Sequence, residues 1–290
     1  MNSADRVTMI VPTYDAEWSF PFFVQSLHRS LGEVPRVVIL RHRNGLLDPE
    51  PAARYDAMLA AIDAKERRFL IEQIDGDFNY SEMMNRAVER LDPAVEFVCL
   101  TNDDIIFSKK DWLDIMVDVL DQNPAVAIVG CRLLHPSDPS TSLDELVLQP
   151  GQHLGTIQHA GVSIVQGKGT SLIHKGRPHD HPAVTWDRVV EAVTFALAVV
   201  RRSLFEEQQF DINLDWDFND ADFCLQAGSR GYQVRYCAAS THFHLETVTR
   251  RKYGLHGKPD NRDYFMRKWR GRIDRAMSLD EFTRMEPYHR

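Results

Sequence analysis

The sequence predicts an α/β fold built on a mostly parallel sheet, and three observations carry that expectation. Apolar runs rich in β-branched residues alternate with segments of helical period from Val7 onward, which is the pattern of strands joined by right-handed crossover helices. The first of these runs, Val7-Thr8-Met9-Ile10-Val11, is short, β-branched and closed by Pro12, as a buried strand is. A later run, Val95 to Leu100, stops on Asn102-Asp103-Asp104 after Thr101. Acidic groups at the carboxyl end of a central strand stand where open α/β sheets bind ligands.

The elements follow in order. Pro21 to Leu31 reads as a helix with Phe23, Val24, Leu27 and Leu31 at helical spacing, and Arg36 to Leu40 as a second strand. Asp56 to Ile62 looks helical, and Phe69-Leu70-Ile71 is a third strand. Ser81 to Leu91 places Met84, Ala87, Val88 and Leu91 on one helical face. After the acidic turn, Trp112, Ile115, Met116, Val119 and Leu120 mark a helix that ends at Asn123-Pro124. Val126 to Val129 is a strand. Pro136 to Leu154, broken by Pro139, Pro150 and Gly151, reads as an exposed loop. Short strands and turns follow: Val162 to Val165, a loop from Gly167 to Pro182, a long apolar run from Val189 to Val200, and a short helix from Ser203 to Gln208. Asp220 to Gly228 is helical and stopped by Gly231, and Val234 to Cys237 is the last strand. Arg250 to Arg275 is dense in Arg and Lys, with Tyr253, Tyr264, Phe265 and Trp269 among them. The organisation expected is one domain over residues 1–250 and a basic, aromatic extension over 251–290, packed on the domain or trailing it.

Of the 290 residues, 43% are hydrophobic and 26% charged, as in a folded soluble domain. The net charge of −8 argues against general nucleic-acid binding. Cys99, Cys131, Cys224 and Cys237 form no C-x-x-C pair, which fits a reduced, cytoplasmic protein. Met1 to Arg6 leads straight into a strand with no apolar leader, and no apolar run has the length of a membrane span.

Three polar clusters sit at the ends of apolar elements. Asn102-Asp103-Asp104 reads either as a metal site, since hard oxygen ligands suit Mg²⁺ or Mn²⁺ on a phosphate, or as the turn that starts the next helix. Asp217-Phe218-Asn219-Asp220-Ala221-Asp222 opens a helix. One acid there caps the helix and complements its dipole, but the stretch from Asp215 to Asp222 holds four. In Thr241-His242-Phe243-His244-Leu245-Glu246 the two histidines are two apart, a spacing that puts both on one face of an extended segment.

These stretches, taken in order, resemble the inverting nucleotide-sugar glycosyltransferases of the large family 2 group that builds bacterial surface polysaccharides. Thr8 to Asp15 is similar to the family's opening strand and nucleotide-contacting turn, and Phe78 to Arg86 to the segment before its metal strand. Leu100 to Ile105 is similar to its D-x-D region, with Asn102 in the first acidic place and Asp104 in the last. Gly155 to Gly161 resembles a motif of polysaccharide-building members, Asn219 to Leu225 the E-D-x-D-L-C-L region, and His244-Leu245-Glu246-Thr247 the H-H-E-S end. The resemblance covers about Val7 to Arg250.

It implies the GT-A fold, a mostly parallel, Rossmann-like mixed sheet flanked by helices, and a metal-dependent transfer from a nucleoside-diphosphate sugar to a glycan or lipid-linked acceptor hydroxyl. Asp104 and His244, with Asp103 in support, would hold Mn²⁺ or Mg²⁺ on the donor diphosphate. Asp220 would be the catalytic base. Pro12, Thr13, Asp15, Asn85 and Asp103 would contact the nucleotide sugar, a UDP-sugar by default. The protein would work in the cytoplasm, and Arg250 to Arg275 reads either as a solvated basic helix or as a peripheral contact with anionic lipid at the inner face of the membrane.

Two stretches depart from the family pattern. Leu40-Arg41-His42-Arg43-Asn44-Gly45 is basic where an acid-rich segment is expected, and Thr194-Phe195-Ala196-Leu197 stands in place of T-G-A-C. The first departure favours the alternative of a non-catalytic relative that binds a nucleotide sugar or a partner. A metal-dependent nucleotidyltransferase or phosphohydrolase lacks its phosphate loop here. His174, His179 and His181 admit a zinc site or a solvated loop.

Overall fold

The computed structural model describes residues 2–14, 16–43, 49–65, 68–246 and 259–288. In chain order the elements are α1 (Ser3–Arg6), β1 (Val7–Thr13), α2 (Phe20–Ser30), β2 (Arg36–Arg43), α3 (Pro49–Lys65), β3 (Phe69–Asp75), α4 (Tyr80–Glu89), β4 (Phe97–Thr101), β5 (Ile105–Ile106), α5 (Trp112–Gln122) and β6 (Val126–Pro136). Then come α6 (Leu143–Leu148), β7 (Leu154–His159), β8 (Val162–Val165), β9 (Gly169–Leu172), β10 (Arg188–Val190), β11 (Leu197–Arg201), α7 (Leu204–Glu207), α8 (Asn219–Ser229) and β12 (Gln233–His244). Three helices follow: α9 (Pro259–Lys268), α10 (Arg270–Ile273) and α11 (Leu279–Tyr288).

One mixed sheet runs β10-β12-β6-β11-β4-β1-β2-β3, with β5 added on β12 and β7 on β6. β4, β1, β2 and β3 are parallel, as the alternation of strands and helices predicts. β11 is inserted antiparallel between β4 and β6, and it ties the parallel half to the pair β6-β12. Central strands are covered on both faces, so alternate residues feed different cores. Ile10, Val98 and Leu100 join a layer with Met84, Phe223 and Phe243, while Met9, Val11, Phe97 and Cys99 join one with Phe23, Trp112 and Leu120.

Several expected boundaries move. The segment from Pro136 to Leu154 is not all loop: α6 forms there behind a complete capping box of Ser142 and Glu145, and its Leu146 and Val147 are buried. Within the expected loop from Gly167, β9 pairs back on β8 across a turn in which Gly167 has φ +71°. The apolar run from Val189 divides into β10, an edge strand on β12, and β11 in the middle of the sheet. β12 runs to His244, past a register shift between Cys237 and Thr241, well beyond the expected end at Cys237.

α9 and the residue after it turn three aromatic side chains inward. Phe265 is fully buried, and Tyr264 and Trp269 pack against the same core. These three rings therefore serve as core and not as an exposed aromatic surface. Arg262, Arg267, Arg270 and Arg275 remain exposed. Among the described residues no helix is long and apolar enough to cross a membrane.

Candidate active site

β4 is buried along its whole length and ends at Thr101. There the amide of Asn102 and the hydroxyl of Thr101 donate to the carbonyl of Ala196, at 2.9 and 3.2 Å, and the chain turns outward. That turn presents Asp103 and Asp104. Thr13, the last residue of β1, donates its hydroxyl to Asp103 Oδ2 at 2.6 Å and also contacts the hydroxyl of Tyr55. Burial, with the charge of Asp104 alongside, pushes the Asp103 carboxyl up to about 7.

The end of β12 meets the same turn. His244 pairs in register with Ile105, and the amide of Leu245 donates to the carbonyl of Asp104 at 3.1 Å. This brings His244 Nε2 to 3.2 Å from Asp104 Oδ1 and 3.3 Å from Asn102 Nδ2. On the far side of the ring, Nδ1 meets Gln158 Oε1 at 2.7 Å. The Gln158 amide nitrogen donates to the carbonyl of His244 and to Glu246 Oε2, both at 3.1 Å. Gln158 thereby fixes the ring and keeps Nδ1 protonated, which turns Nε2 toward Asp104. Burial lowers the His244 pKa, but the adjacent charge and hydrogen bond of Asp104 outweigh it and hold the imidazole above its usual range.

These residues fit a divalent cation. Asp104 Oδ1 is buried and takes no well-aligned hydrogen bond, so it is an acceptor still open to a further partner. Two cis ligands of an octahedral ion at about 2.1 Å lie roughly 3 Å apart, and the 3.2 Å between Oδ1 and Nε2 matches that edge. Among the described residues no group of three or more His, Cys, Asp or Glu is arranged as ligands. A two-ligand site suits an ion whose remaining positions go to substrate phosphates and water.

Asp220 stands in the first turn of α8, two residues after Phe218, whose backbone is left-handed (φ 64°). Its carboxylate accepts from the amide of Ala221 at 2.7 Å, from the Thr194 hydroxyl and from the backbone of Phe195. Burial raises its pKa and these bonds pull it back, with a net rise. Burial, with the charge of Asp220 nearby, also raises the Tyr80 phenol. Thr194 couples the two halves of the site. Its amide donates to His159 Nε2 at 3.3 Å, and its Oγ1 accepts from Ala196, whose carbonyl caps the Asn102 turn. His159 also accepts from Gly161, and burial holds it at about 3, a neutral imidazole.

The structure thus brings together Thr13, Asp103, Asp104 and His244, with Pro12 beside them on β1, and connects them to Asp220. Asp15 lies outside the described residues, as do Asn44, Gly45 and residues 247–258, Thr247 of the last motif among them. Asn85 stands apart from the acidic turn: its amide donates to the carbonyl of Phe210 and accepts from the Phe210 amide, both at 2.9 Å, so it holds a loop. His242 does not join His244. It is buried between Phe107 and Trp112, with Nε2 on the Ser240 hydroxyl and Nδ1 accepting from Ser108. The basic departure at Arg41 has a structural use, because its guanidinium is buried over Tyr55, paired with Asp56 at 2.9 Å and bonded to the carbonyl of Tyr14. His181 Nδ1 accepts from Ala183, and the three loop histidines form no ligand cluster. The roles of Gln158 and Thr194 were not read from the sequence; only the motif around Gln158 and the altered stretch at Thr194 were visible there.

No protein-family model matches the sequence, and no curated protein matches it. Solved structures do. A mannosyltransferase from Pyrobaculum calidifontis, in complex with GDP-mannose and Mn²⁺, superposes at TM-score 0.52 and 18% identity, over 83% of this chain and 56% of that one. GalNAc-T7 with UDP, GalNAc and Mn²⁺ gives 0.63 at 10% identity, over 92% and 49%. TarS of S. aureus (residues 1–349) gives 0.54 at 12% identity, over 97% and 69%. The chain spans about half the length of the first two. The likeness shows the fold, an α/β sheet of the GT-A type.

Proposed function

We propose that the protein is a metal-dependent, inverting glycosyltransferase that moves a sugar from a nucleoside-diphosphate donor to a hydroxyl of a glycan or lipid-linked acceptor. The observation that carries this reading is the convergence of Asp104 and His244 on one point, tied through Ala196 and Thr194 to the buried carboxylate of Asp220. The neighbours solved with GDP-mannose or UDP and with Mn²⁺ support the donor class.

Asp104 Oδ1 and His244 Nε2 would hold Mn²⁺ or Mg²⁺, and the bound ion would offset the charge that grows on the departing nucleoside diphosphate. Gln158 keeps Nε2 available for that task. Pro12, Thr13 and Asp103 line the end of β1 and receive the nucleotide part of the donor, with uridine as the default base. Asp220 takes the proton of the acceptor hydroxyl as that oxygen bonds to the anomeric carbon and the bond from this carbon to the donor phosphate oxygen breaks. A single displacement of this kind inverts the anomeric centre. Burial makes Asp220 a stronger base than a surface carboxylate, and Thr194 and Phe195 fix its aim.

The test is a panel of UDP-, dTDP- and GDP-sugars, read by thermal shift and by release of nucleoside diphosphate, with and without Mn²⁺. One donor is expected to stabilise the protein only with the metal and to be turned over. Asp220→Asn should lower turnover by about 10²- to 10⁴-fold, with the donor shift and the circular-dichroism spectrum unchanged. Full turnover in that variant removes Asp220 from the reaction, and a panel without any shift removes the transferase reading.

A further inference from the structure

We propose that α9 is a clamp on the corner that carries Asp220, and that Asn261 and Trp269 are positioning residues for the transfer. This inference rests on the base role of Asp220 proposed above.

The corner from Asp211 to Phe218 has no helix or strand of its own among the described residues, so its conformation must be imposed by neighbours. α4 holds the near side: Asn79 donates to the carbonyl of Ile212, Ser81 to that of Leu214, and the amide of Tyr80 to that of Asp215. The C-terminal segment holds the side that leads into α8. Asn261 is buried, and its Oδ1 accepts from both successive amides, Trp216 at 3.1 Å and Asp217 at 3.0 Å, while its Nδ2 donates to the carbonyl of Asn213. Phe218, the left-handed residue that aims α8, is stacked on the fully buried Phe265 with ring centroids 4.9 Å apart. A non-glycine residue keeps such a backbone only where its surroundings hold it.

The third attachment is Asp222, fully buried two residues beyond Asp220 in the same helical turn. Its carboxylate takes Lys268 Nζ at 2.7 Å, Trp269 Nε1 at 2.8 Å and the Gln226 amide at 2.7 Å. Lys268 also pairs with Asp211 at the other end of the corner, and Tyr264 donates to the same carboxylate. On its opposite side the segment is braced by the β8–β9 hairpin. A Cβ on Gly169 would lie 2.8 Å from Met266 Sδ, and Gln166 bonds the carbonyls of Met277 and Asp274. Trp216, Asp217, Phe218 and Asp222, which flank Asp220, are thus held from one helix and the residue that follows it. A shift of about 1 Å in a reacting group is enough to cost roughly 10²-fold in rate.

The experiment uses the full chain carrying Asn261→Ala or Trp269→Phe, each of which removes donors or acceptors and leaves the Lys268 to Asp222 pair in place. Expected are a fall in kcat of about ten- to a hundredfold with donor KM within about twofold, and at least tenfold faster hydrogen exchange of the Trp216 and Asp217 amides in Asn261→Ala. Wild-type kcat in both variants, or a donor KM that rises in step with the loss, overturns the positioning role. If the wild type turns over no donor, the transferase reading fails separately and exchange decides the clamp alone: unchanged exchange at Trp216 and Asp217 sinks it.

Discussion

Gln158 shows how one side chain decides what a site can bind. His244 can offer Nε2 to a cation only while Nδ1 carries the proton, and the carbonyl oxygen of Gln158 at 2.7 Å enforces that state. The same amide also grips the carbonyl of His244 and the Glu246 carboxylate, so it fixes both the ring and the strand end. Gln158→Ala is expected to weaken Mn²⁺ binding by about 10- to 100-fold, the usual cost of losing a supporting partner of a metal-binding histidine. Titration calorimetry with Mn²⁺ in the presence of a nucleoside diphosphate measures it, and an unchanged affinity would mean that His244 is not a ligand. The sequence made Asp104, His244 and Asp220 visible because acids and histidines at the ends of apolar elements stand out. Gln158 and Thr194 did not, since uncharged residues acquire a role only from partners that are 86 and 26 residues away in the chain, at His244 and Asp220.

At the level of elements, the strands and crossover helices of the parallel half were legible because each carries its own period. α6 was missed because six residues complete fewer than two turns, although the Ser142–Glu145 capping signature was present. β9 was missed because Gly169-Thr170-Ser171-Leu172 has one large apolar residue. α4 shows a subtler limit, since its helix was read correctly while the loop contact of one polar residue was not visible in the sequence. Asn79, Ser81 and Asn85 all face the loop that leads to α8, and Asn85 spends both amide functions on the buried Phe210. Asn85→Ala leaves a buried amide and carbonyl without partners, each worth about 1–3 kcal/mol. Chemical denaturation should therefore show a loss of roughly 2–4 kcal/mol, while the donor-induced thermal shift in Mn²⁺ stays as in the wild type. Weaker donor binding with full stability would place Asn85 in the nucleotide site.

For the whole molecule, the buried and depressed imidazoles of His159 and His242 disfavour the fold in mild acid. His159 is enclosed beside the Thr194 segment, accepting from two backbone amides, and it is held at about 3 against an ordinary value near 6.5. Its folded pKa is depressed, so the unfolded chain binds the proton first. The stability it contributes is complete above about 6.5 and is lost progressively as pH falls toward 3. Each such group gives a slope of about 1.4 kcal/mol per pH unit inside that window. Asp211, held at about 2, adds a similar loss only below its ordinary range near 3.8. Urea unfolding between pH 7.5 and 4.5 therefore excludes Asp211. Asp103, raised to about 7, and His244, also raised, add stability as pH falls and oppose the depressed histidines. The contribution of His159 is read by difference: His159→Gln, less stable at pH 7.5, should lose about 1.4 kcal/mol per unit less than the wild type on acidification below about pH 6.5. Parallel curves for the two proteins would mean that His159 is protonated within the fold, which its two amide donors forbid.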